Sequence, residues 1–436
     1  MKPKVILNVV GLTPKILNSG NMPSLQSFAD QVGWTPLTPD LPAVTCTMQA
    51  RFLTGKPPSE HGAVGNGWYF RDLAEIWLWR QSVHLLESET FIQKWNRENP
   101  SQRSAQVFWW WNLPSHADIS VTPRPTYWAN GRKTPDIHTT PPSLRLRLQD
   151  QLGPFPLFQF WGPGANIKST RWIVDATLNI LKEEQPGLTL SYLPHLDYDL
   201  QRFGPNSRQA KQAAMDLDQE VAKILDYVQA KEMELTVVSE YGISEVSQAV
   251  FPNQCLRENQ FLTVHPAKNG ALLDPGNSRA FAVCDHQCAH VYIQNPKDVP
   301  QVKGLLSSLA GVDQIWGKEE MASHGLAHPR SGELFLLAEA SSWFAYPYWG
   351  TKDQIPDFAR TVDIHNKPGY DPCELFLDPA KPWVKTRVLL KVLANKCGWR
   401  TLLDVIPLDT SLVKGSHGLL PLSPEEGPIR IGPALP

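Results

Sequence analysis

Short runs of apolar residues recur along the chain, and segments with helical spacing separate several of them. Runs this apolar are typical of strands that are covered on both faces. Between 207 and 230 the apolar residues fall at helical spacing, and this segment leads directly into an apolar run. The alternation predicts an α/β fold with a mostly parallel central sheet flanked by helices. The predicted strands are VILNVVGL (5–12), LTLSYL (188–193), ELTVVSEYG (234–242), AFAVCDH (280–286), HVYIQ (290–294) and ELFLLAEA (333–340).

Two segments differ from this pattern in composition. Residues 68–172 hold ten of the 16 tryptophans, including WWW at 109–111, and several proline-rich connections. We interpret this segment as an insertion that forms a cap or an interface, with ordinary aromatic core as the alternative. Residues 411–436 are rich in proline and predict a tail on the surface. The predicted organisation is a core of residues 1–67 and 173–410, the insertion 68–172 and the tail 411–436.

Size and charge limit the possible partners. A chain of 436 residues exceeds one simple core, so we expect one large domain with an insertion, or two domains. The 41 Lys and Arg residues nearly balance the 43 Asp and Glu residues, so no global field attracts nucleic acid or an anionic membrane. The composition leaves the oligomeric state open.

The location is predicted from the first apolar run and the cysteines. The run near the start spans eight residues without a small-residue cleavage site, which favours a strand over a signal peptide. No segment approaches the roughly 18 uninterrupted apolar residues of a membrane span. Six cysteines in so long a chain do not indicate a disulfide scaffold, and a reducing cytoplasm fits best.

The stretch PAVTCTMQARFLTGKPPSEHGAVGN at 42–66 carries the strongest chemical signal. It resembles the alkaline phosphatase superfamily, in its nucleotide pyrophosphatase/phosphodiesterase branch, whose members have P-T-x-T followed by T-G-x-x-P-x-x-H-G-I-x-x-N. Similar segments follow in the same order over 185–375. They are YLPHLDYDLQRFGP (192–205), VVSEYG (237–242), HPRSGELFLLAEA (328–340) and KPGYD (367–371).

The resemblance implies hydrolysis of a phosphoester or a related anionic small molecule. In the family, two zinc ions activate a hydroxyl nucleophile and stabilise the leaving oxygen. Thr45 matches the nucleophile, and Asn66 matches the amide that holds a phosphate oxygen. Without the resemblance, Thr45 reads as a helix cap.

The metal ligands implied by the resemblance are mostly replaced. Val10 stands where the first strand of the family ends in Asp, and Asn8 is the nearest polar alternative on the same face. Asp197 is retained, whereas Gln201 replaces a histidine and offers only a neutral oxygen. The Asp-His pair becomes Glu240 and Tyr241.

The last family histidine falls on Pro368, and His365 is the nearest substitute. The motif CDHQCAH at 284–290 offers further donors, of which Asp285 and His286 are the best candidates. An extended chain would place 284, 286, 288 and 290 on one face and Asp285 on the other. Histidines bonded to backbone carbonyls at a strand end are the alternative for this motif.

A divalent metal, by resemblance zinc as one or two ions, is therefore expected at an altered site formed by Asp197, Glu240, His365, His286 and Asp285. Arg71, Gln201 and Tyr241 are the candidate substrate-binding residues. Arg71 or Arg80 could hold a phosphate, with an arginine beside carboxylates at the surface as the alternative. Arg124, Arg132 and Lys133 on the insertion are consistent with a cap that closes on an anion.

Two classes of function stay open. One is a phosphodiesterase-like hydrolase that uses Thr45 and an altered metal site. The other is a non-catalytic protein of the same fold that binds phosphate or another anion. A third possibility is an altered hydrolase or an isomerase that uses Glu240 and a histidine as acid and base without metal.

Overall fold

A computed structural model describes residues 2–130, 132–350, 354–362, 367–399 and 401–436. The helices are α1 (Pro14–Leu17), α2 (Pro23–Val32), α3 (Thr45–Thr54), α4 (Pro58–His61), α5 (Phe91–Glu98), α6 (Ser143–Leu152), α7 (Ile167–Glu183), α8 (His195–Phe203), α9 (Arg208–Ala230), α10 (Pro252–Glu258), α11 (Val299–Ser307), α12 (Lys318–Ser323) and α13 (Val384–Lys396). The strands are β1 (Lys4–Val9), β2 (Trp34–Pro36), β3 (Gly67–Phe70), β4 (Glu75–Leu78), β5 (Ser104–Val107), β6 (Ile119–Pro123), β7 (Thr126–Tyr127), β8 (Lys133–Thr134), β9 (Ile137–Thr140), β10 (Leu188–Leu193), β11 (Glu234–Val238), β12 (Ser244–Glu245), β13 (Gln248–Val250), β14 (Val264–Ala267), β15 (Gly270–Leu273), β16 (Ala280–Asp285), β17 (Cys288–Ile293), β18 (Val312–Trp316), β19 (Leu334–Ala338), β20 (Ser342–Phe344), β21 (Gly415–Ser416) and β22 (Ile429–Ile431).

The central sheet has the order β2-β22-β11-β1-β10-β5-β6-β9. Five middle strands run parallel to one another: β11, β1, β10, β5 and β6. On the two sides of this group, β22 pairs antiparallel with β11 and β9 pairs antiparallel with β6. The prediction of a mostly parallel sheet flanked by helices is confirmed. Strands β1, β10 and β11 are buried almost throughout, which is why their sequences are continuous apolar runs.

The six apolar runs singled out in the sequence all contain strands, and residues 207–230 form helix α9 almost to the residue. In the part of the chain that the structure describes, no helix has the length and apolar character needed to cross a membrane.

The tryptophan-rich segment 68–172 contributes to the central sheet. Its strands β5 and β6 extend the parallel core beyond β10, and β9 adds an antiparallel edge strand. The three consecutive tryptophans pack inside the protein, and two of them bond to helix α3. The indole of Trp111 donates to the carbonyl of Cys46 at 3.0 Å, and the amide of Trp110 donates to Gln49 Oε1 at 2.5 Å. These tryptophans therefore hold the helix that begins at Thr45.

The prediction of a surface tail for 411–436 needs correction. Strand β22 lies between β2 and β11 in the central sheet, and Ile429 and Ile431 are completely buried. Strand β21 pairs with β12 and leads to His417, which is 2% exposed. The alternating apolar residues of IRI at 429–431 supply the buried face of a strand, and the prolines that surround them conceal it in the sequence.

The motif CDHQCAH forms a turn of a hairpin instead of an extended strand. Asp285 ends β16, Cys288 begins β17, and these two residues are paired in register. His286 lies in the turn with a positive φ of 59°. The reversal of the chain places Asp285 and His286 together at the tip of a second sheet, which has the order β16-β17-β19-β18.

Candidate active site

The candidate site lies at the carboxyl ends of β1, β10 and β11, where α/β sheets bind ligands. Strand β10 leads through Pro194 into helix α8, which carries Asp197 in its first turn. Strand β11 is followed by Ser239, Glu240 and Tyr241. The parallel register of three neighbouring strands therefore brings these polar side chains together.

Thr45 occupies the first helical position of α3. The N-cap is Val44, which makes no side-chain capping bond, so the interpretation of Thr45 as a helix cap is wrong. Its hydroxyl lies 3.1 Å from the Tyr241 hydroxyl, and the residue is 4% exposed. A hydroxyl at the positive end of a helix is well placed to meet an anion.

Glu240 is completely buried and is held on one oxygen only. Its Oε1 accepts hydrogen bonds from Asn8 Nδ2 at 2.5 Å and from Gln49 Nε2 at 2.6 Å. Its Oε2 has no hydrogen-bond partner among the described residues. Burial raises the pKa of Glu240 to about 8, although the nearby Thr45 hydroxyl favours the charged form. The side chain is therefore a base whose pKa lies near neutrality.

Asp197 belongs to the same cluster. Its Oδ2 accepts from Gln201 Nε2 at 2.7 Å, one turn later on the same helix, and Tyr241 donates to its Oδ1 at 3.4 Å. Burial raises the pKa of Asp197 to about 6. Tyr241 thus joins Thr45 to Asp197 through its hydroxyl. The substrate-binding role predicted for Gln201 and Tyr241 stays a prediction.

Asn66 holds the start of α3. Its side-chain oxygen accepts from the amide of Cys46 at 2.9 Å, directly after Thr45. Its Nδ2 donates to Asp285 Oδ1 and to the Tyr370 hydroxyl, both at 3.0 Å. Both amide protons are thus engaged, and binding of a phosphate oxygen by Asn66 requires that one of these bonds opens. In this conformation Asn66 is a positioning residue.

Asp285 and His286 lie on the Asn66 side of the site. Asp285 accepts from the Asn66 amide and side chain and from Tyr370, and burial raises the pKa of this carboxyl to about 6. His286 packs against Tyr370 with ring centroids 5.6 Å apart, and burial lowers its pKa. The alternative for the motif CDHQCAH was a histidine bonded to a backbone carbonyl. His290 has this arrangement, because its Nε2 lies 2.9 Å from the carbonyl oxygen of Val64.

Sequence reasoning missed two residues of the site. His417 stacks on Tyr241 at 3.7 Å with nearly parallel rings and lies 3.8 Å from the ring of His286. Nothing in the proline-rich sequence around it marks this position. Gln49 could have been found, because it follows Thr45 by four residues and therefore lies on the same face of the helix.

Of the other two predicted site residues, one falls outside the described chain and one is not brought to this cluster. His365 lies outside the described residues. Arg71 is exposed, and its guanidinium bonds to Glu333 at 2.8 Å and to the carbonyl of Ser331 at 3.0 Å. The surface ion pair, which was the alternative for Arg71, is the observed arrangement.

The residues present do not fit a two-zinc centre. Val10 is apolar and completely buried, and Gln201 and Tyr241 offer neutral atoms. Within the described ranges, no three His, Cys, Asp or Glu side chains form a group that could hold a metal ion. The carboxyl groups of Asp197 and Glu240 bind amide and hydroxyl donors instead. Hydrogen bonds from such donors offset part of the free-energy cost of burying a carboxyl group, and they do so without a cation.

Comparison with known proteins agrees with this α/β architecture. The sequence matches the family model of type I phosphodiesterase/nucleotide pyrophosphatase over residues 4–371, and the chain belongs to this family. No curated protein matches the sequence. The structure is an alkaline phosphatase-like fold.

Solved structures share the fold at low identity. Murine ectonucleotide pyrophosphatase/phosphodiesterase 5 is 13% identical, with a TM-score of 0.59 over 99% of this chain and 89% of that chain. An inactive threonine-to-alanine variant of the murine protein in complex with AMP matches with the same identity and score over 100% and 89%. Phosphonoacetate hydrolase from Sinorhizobium meliloti in complex with phosphonoacetate is 15% identical, with a TM-score of 0.57 over 79% and 83%.

The altered donor set predicts weak zinc binding. Protein purified after zinc supplementation is expected to hold less than about one zinc ion per chain, because two neutral side chains replace histidines. Its melting temperature is expected to be unchanged by EDTA. Elemental analysis and a thermal melt measure both quantities.

The double variant Gln201→His, Tyr241→His is the positive control, since it restores two imidazoles beside Asp197 and Glu240 and is expected to bind more zinc. About two zinc ions in the unmodified protein, lost with EDTA at a lower melting temperature, would contradict the prediction.

Proposed function

We propose that the protein is a phosphoester hydrolase in which Thr45 attacks phosphorus and Glu240 accepts the proton of its hydroxyl. The observation that carries the proposal is the unpartnered, buried Glu240 Oε2 beside Thr45. A hydroxyl is a weak nucleophile until an adjacent base removes its proton. Glu240, with a pKa of about 8, can accept this proton once it is ionised, at about pH 8 and above.

The proposed step conserves atoms and charge. The Thr45 hydroxyl turns from Tyr241 towards Glu240 Oε2 and gives up its proton. The bond from Thr45 Oγ1 to phosphorus forms as the bond to the leaving oxygen breaks, and Glu240 gives its proton to that oxygen. In the second step Glu240 takes a proton from water, the hydroxide bonds to phosphorus as the Thr45 Oγ1–phosphorus bond breaks, and the proton passes to Thr45 Oγ1. A diester thus releases its leaving alcohol and then a phosphate monoester. The inactivity of the threonine-to-alanine variant of the murine neighbour supports an essential threonine in this fold.

The surrounding residues position these two groups. Asn8 and Gln49 fix Glu240 Oε1 and leave Oε2 for the proton. Asn66 fixes the start of α3 through Cys46. Asp197 and Asp285 were predicted as metal ligands. In this proposal Asp197 orients Tyr241, and Asp285 orients Asn66. Thr45 is buried, so the proposal also requires an opening towards solvent when substrate enters.

The substrate and the location are also proposals. The family description and the AMP complex of the murine neighbour favour a diester or pyrophosphate over a simple monoester. All six cysteines are free thiols, which supports a reducing compartment such as the cytoplasm.

An assay with bis(4-nitrophenyl) phosphate tests the proposed function. Metal-free protein is expected to release 4-nitrophenolate faster from this diester than from 4-nitrophenyl phosphate, because a diester places less negative charge beside the buried carboxyls of the site. Heat-denatured protein is the control.

The second candidate is a protein that binds anions without turnover. The hydrogen bonds that engage Asn66, Asp197 and Asp285 favour it, since they stabilise a closed site. Phosphate binding by calorimetry together with no turnover of either ester, with or without added metal, would support this candidate and contradict the hydrolase.

A further inference from the structure

A cavity of about 430 Å³ lies between the β3–β4 hairpin and the segment that follows β6. Aromatic rings form much of its wall. The ring of Phe70 lies 4.9 Å from the ring of Trp77 across the hairpin. Trp79 and Tyr127 complete the aromatic part of the lining.

Two arginines line the same cavity. The guanidinium of Arg80 lies over Trp77 at 4.2 Å from the ring centroid. Arg80 Nε is buried and has no hydrogen-bond partner among the described residues. Arg124 lies close enough to lower the pKa of Arg80, after the larger effect of burial. No acidic side chain belongs to the described lining, although Glu75 lies near Arg80.

One wall of the cavity is shared with the candidate active site. The ring of Trp79 lies 5.3 Å from the ring of Tyr370, whose hydroxyl bonds to Asn66. The amide of Trp79 also donates to the carbonyl of Asn66 at 2.7 Å. A ligand in the cavity therefore lies one aromatic layer from the residue that holds the start of α3.

A larger cavity of about 590 Å³ lies near the end of α3, and two of its cations are paired with carboxyl groups. Arg51 lies 3.6 Å from Asp40, and Lys56 lies 2.9 Å from Glu60. Arg430 Nε, in the lining of the larger cavity, is also without a partner among the described residues, but Glu89 supplies a carboxylate there. The described lining of the smaller cavity has two arginines and no acidic side chain, so it has the stronger requirement for an anion.

We propose that the aromatic cavity binds an organic anion with a planar ring, with the ring against Trp77 and Trp79 and the anionic group on Arg80 and Arg124. Guanidinium groups bind phosphate and carboxylate oxygens in pairs of hydrogen bonds. Aromatic side chains stack on planar rings and attract cations at the same time. This inference rests on the proposed function: the organic anion is then the leaving group of the ester. The cavity would select esters whose leaving group carries both a planar ring and a second negative charge.

Binding of phenyl phosphate to the Thr45→Val protein tests the cavity without turnover. Quenching of tryptophan fluorescence and calorimetry measure the affinity. Arg80→Gln is expected to weaken binding by about 10- to 100-fold, through loss of a charge-assisted hydrogen bond. Trp77→Leu is expected to weaken the binding of phenyl phosphate by about 3- to 10-fold, because the contact with the ring is lost. The binding of inorganic phosphate, which has no ring, is expected to be nearly unchanged.

Lys268→Gln is the matched control, because it removes an exposed positive charge away from the cavity. Thermal melts of each variant confirm folding; a variant with a lowered melting temperature is replaced by Arg124→Gln, which changes an exposed side chain. Equal affinities of all variants, or an equal loss in Lys268→Gln, would overturn the proposal. Cavity binding without any ester turnover would contradict the proposed hydrolase and still support the anion site.

Discussion

Replacement of Thr45 by valine is expected to lower kcat/KM for a phosphodiester by about a thousandfold or more, because the change removes the nucleophilic oxygen. Valine keeps the shape and the β-branch, and Thr45 makes no capping bond that the helix would lose. The hydrogen bond between the hydroxyls of Thr45 and Tyr241 is lost. Initial rates with bis(4-nitrophenyl) phosphate measure the effect, and circular dichroism checks the fold.

Thr54→Val provides a matched control on the same helix. Its hydroxyl bonds to the carbonyl of Ala50, within the last turns of α3 and away from Tyr241. Activity close to that of the unmodified protein is expected for Thr54→Val. If Thr45→Val retained most of the activity, another group would have to be the nucleophile.

Glu240→Gln is expected to reduce kcat/KM by about 10²- to 10⁴-fold and to abolish its dependence on pH. Glutamine can still accept the bonds of Asn8 and Gln49 on its oxygen, and its amide group takes the place of Oε2, which makes no hydrogen bond to a described residue. The substitution therefore removes the base with little change in packing.

The direction of the pH dependence follows from the raised pKa. Below pH 8 Glu240 is mostly protonated and cannot accept a proton, so activity of the unmodified protein is expected to rise as pH increases through about 8 and then level off. Glu245→Gln, an exposed change on β12, is the control and should keep this profile. A profile with the same midpoint in Glu240→Gln would assign the titration to another group.

Stability is expected to change in the opposite direction, because the raised pKa means that the folded protein holds the proton of Glu240 more tightly than the unfolded chain does. The stabilisation is full below the ordinary carboxyl pKa and is lost as pH rises through about 8. The pH range in which activity is highest is thus one in which the fold is less stable.

Much of the fold could be predicted from local patterns. Strands β1, β10 and β11 are continuous apolar runs, because helices and neighbouring strands cover both of their faces. Helix α9 has regular apolar spacing along its 23 residues. Strand β22 could not be predicted in the same way, since three residues between prolines and glycines carry too little periodicity.

The site was predicted less completely than the fold. Thr45 and Asn66 stand in a motif with fixed spacing, and Asp197 and Glu240 directly follow apolar runs. His417 reaches the site from the far end of the chain through the pairing of β21 with β12. Its distance in sequence from Tyr241 left no local signal. The partners of Glu240 and Asp285 were equally hidden, because Asn8, Gln49 and Asn66 are distant in sequence and only folding brings them within hydrogen-bond distance.

The sequence by itself determined the family, the order of the main strands and helices, and the substitution of most of the expected metal ligands. Those features depend on residue identity and local spacing, which the chain retains in any conformation. Only the tertiary structure decided that neutral amides and hydroxyls bond to the remaining carboxyl groups. It also decided that one oxygen of Glu240 makes no hydrogen bond within the described part of the chain, and that Trp79 separates an arginine-lined cavity from the site. Burial and contact between distant segments create these properties, since the pKa of a carboxyl depends on the water and the donors that folding removes or supplies.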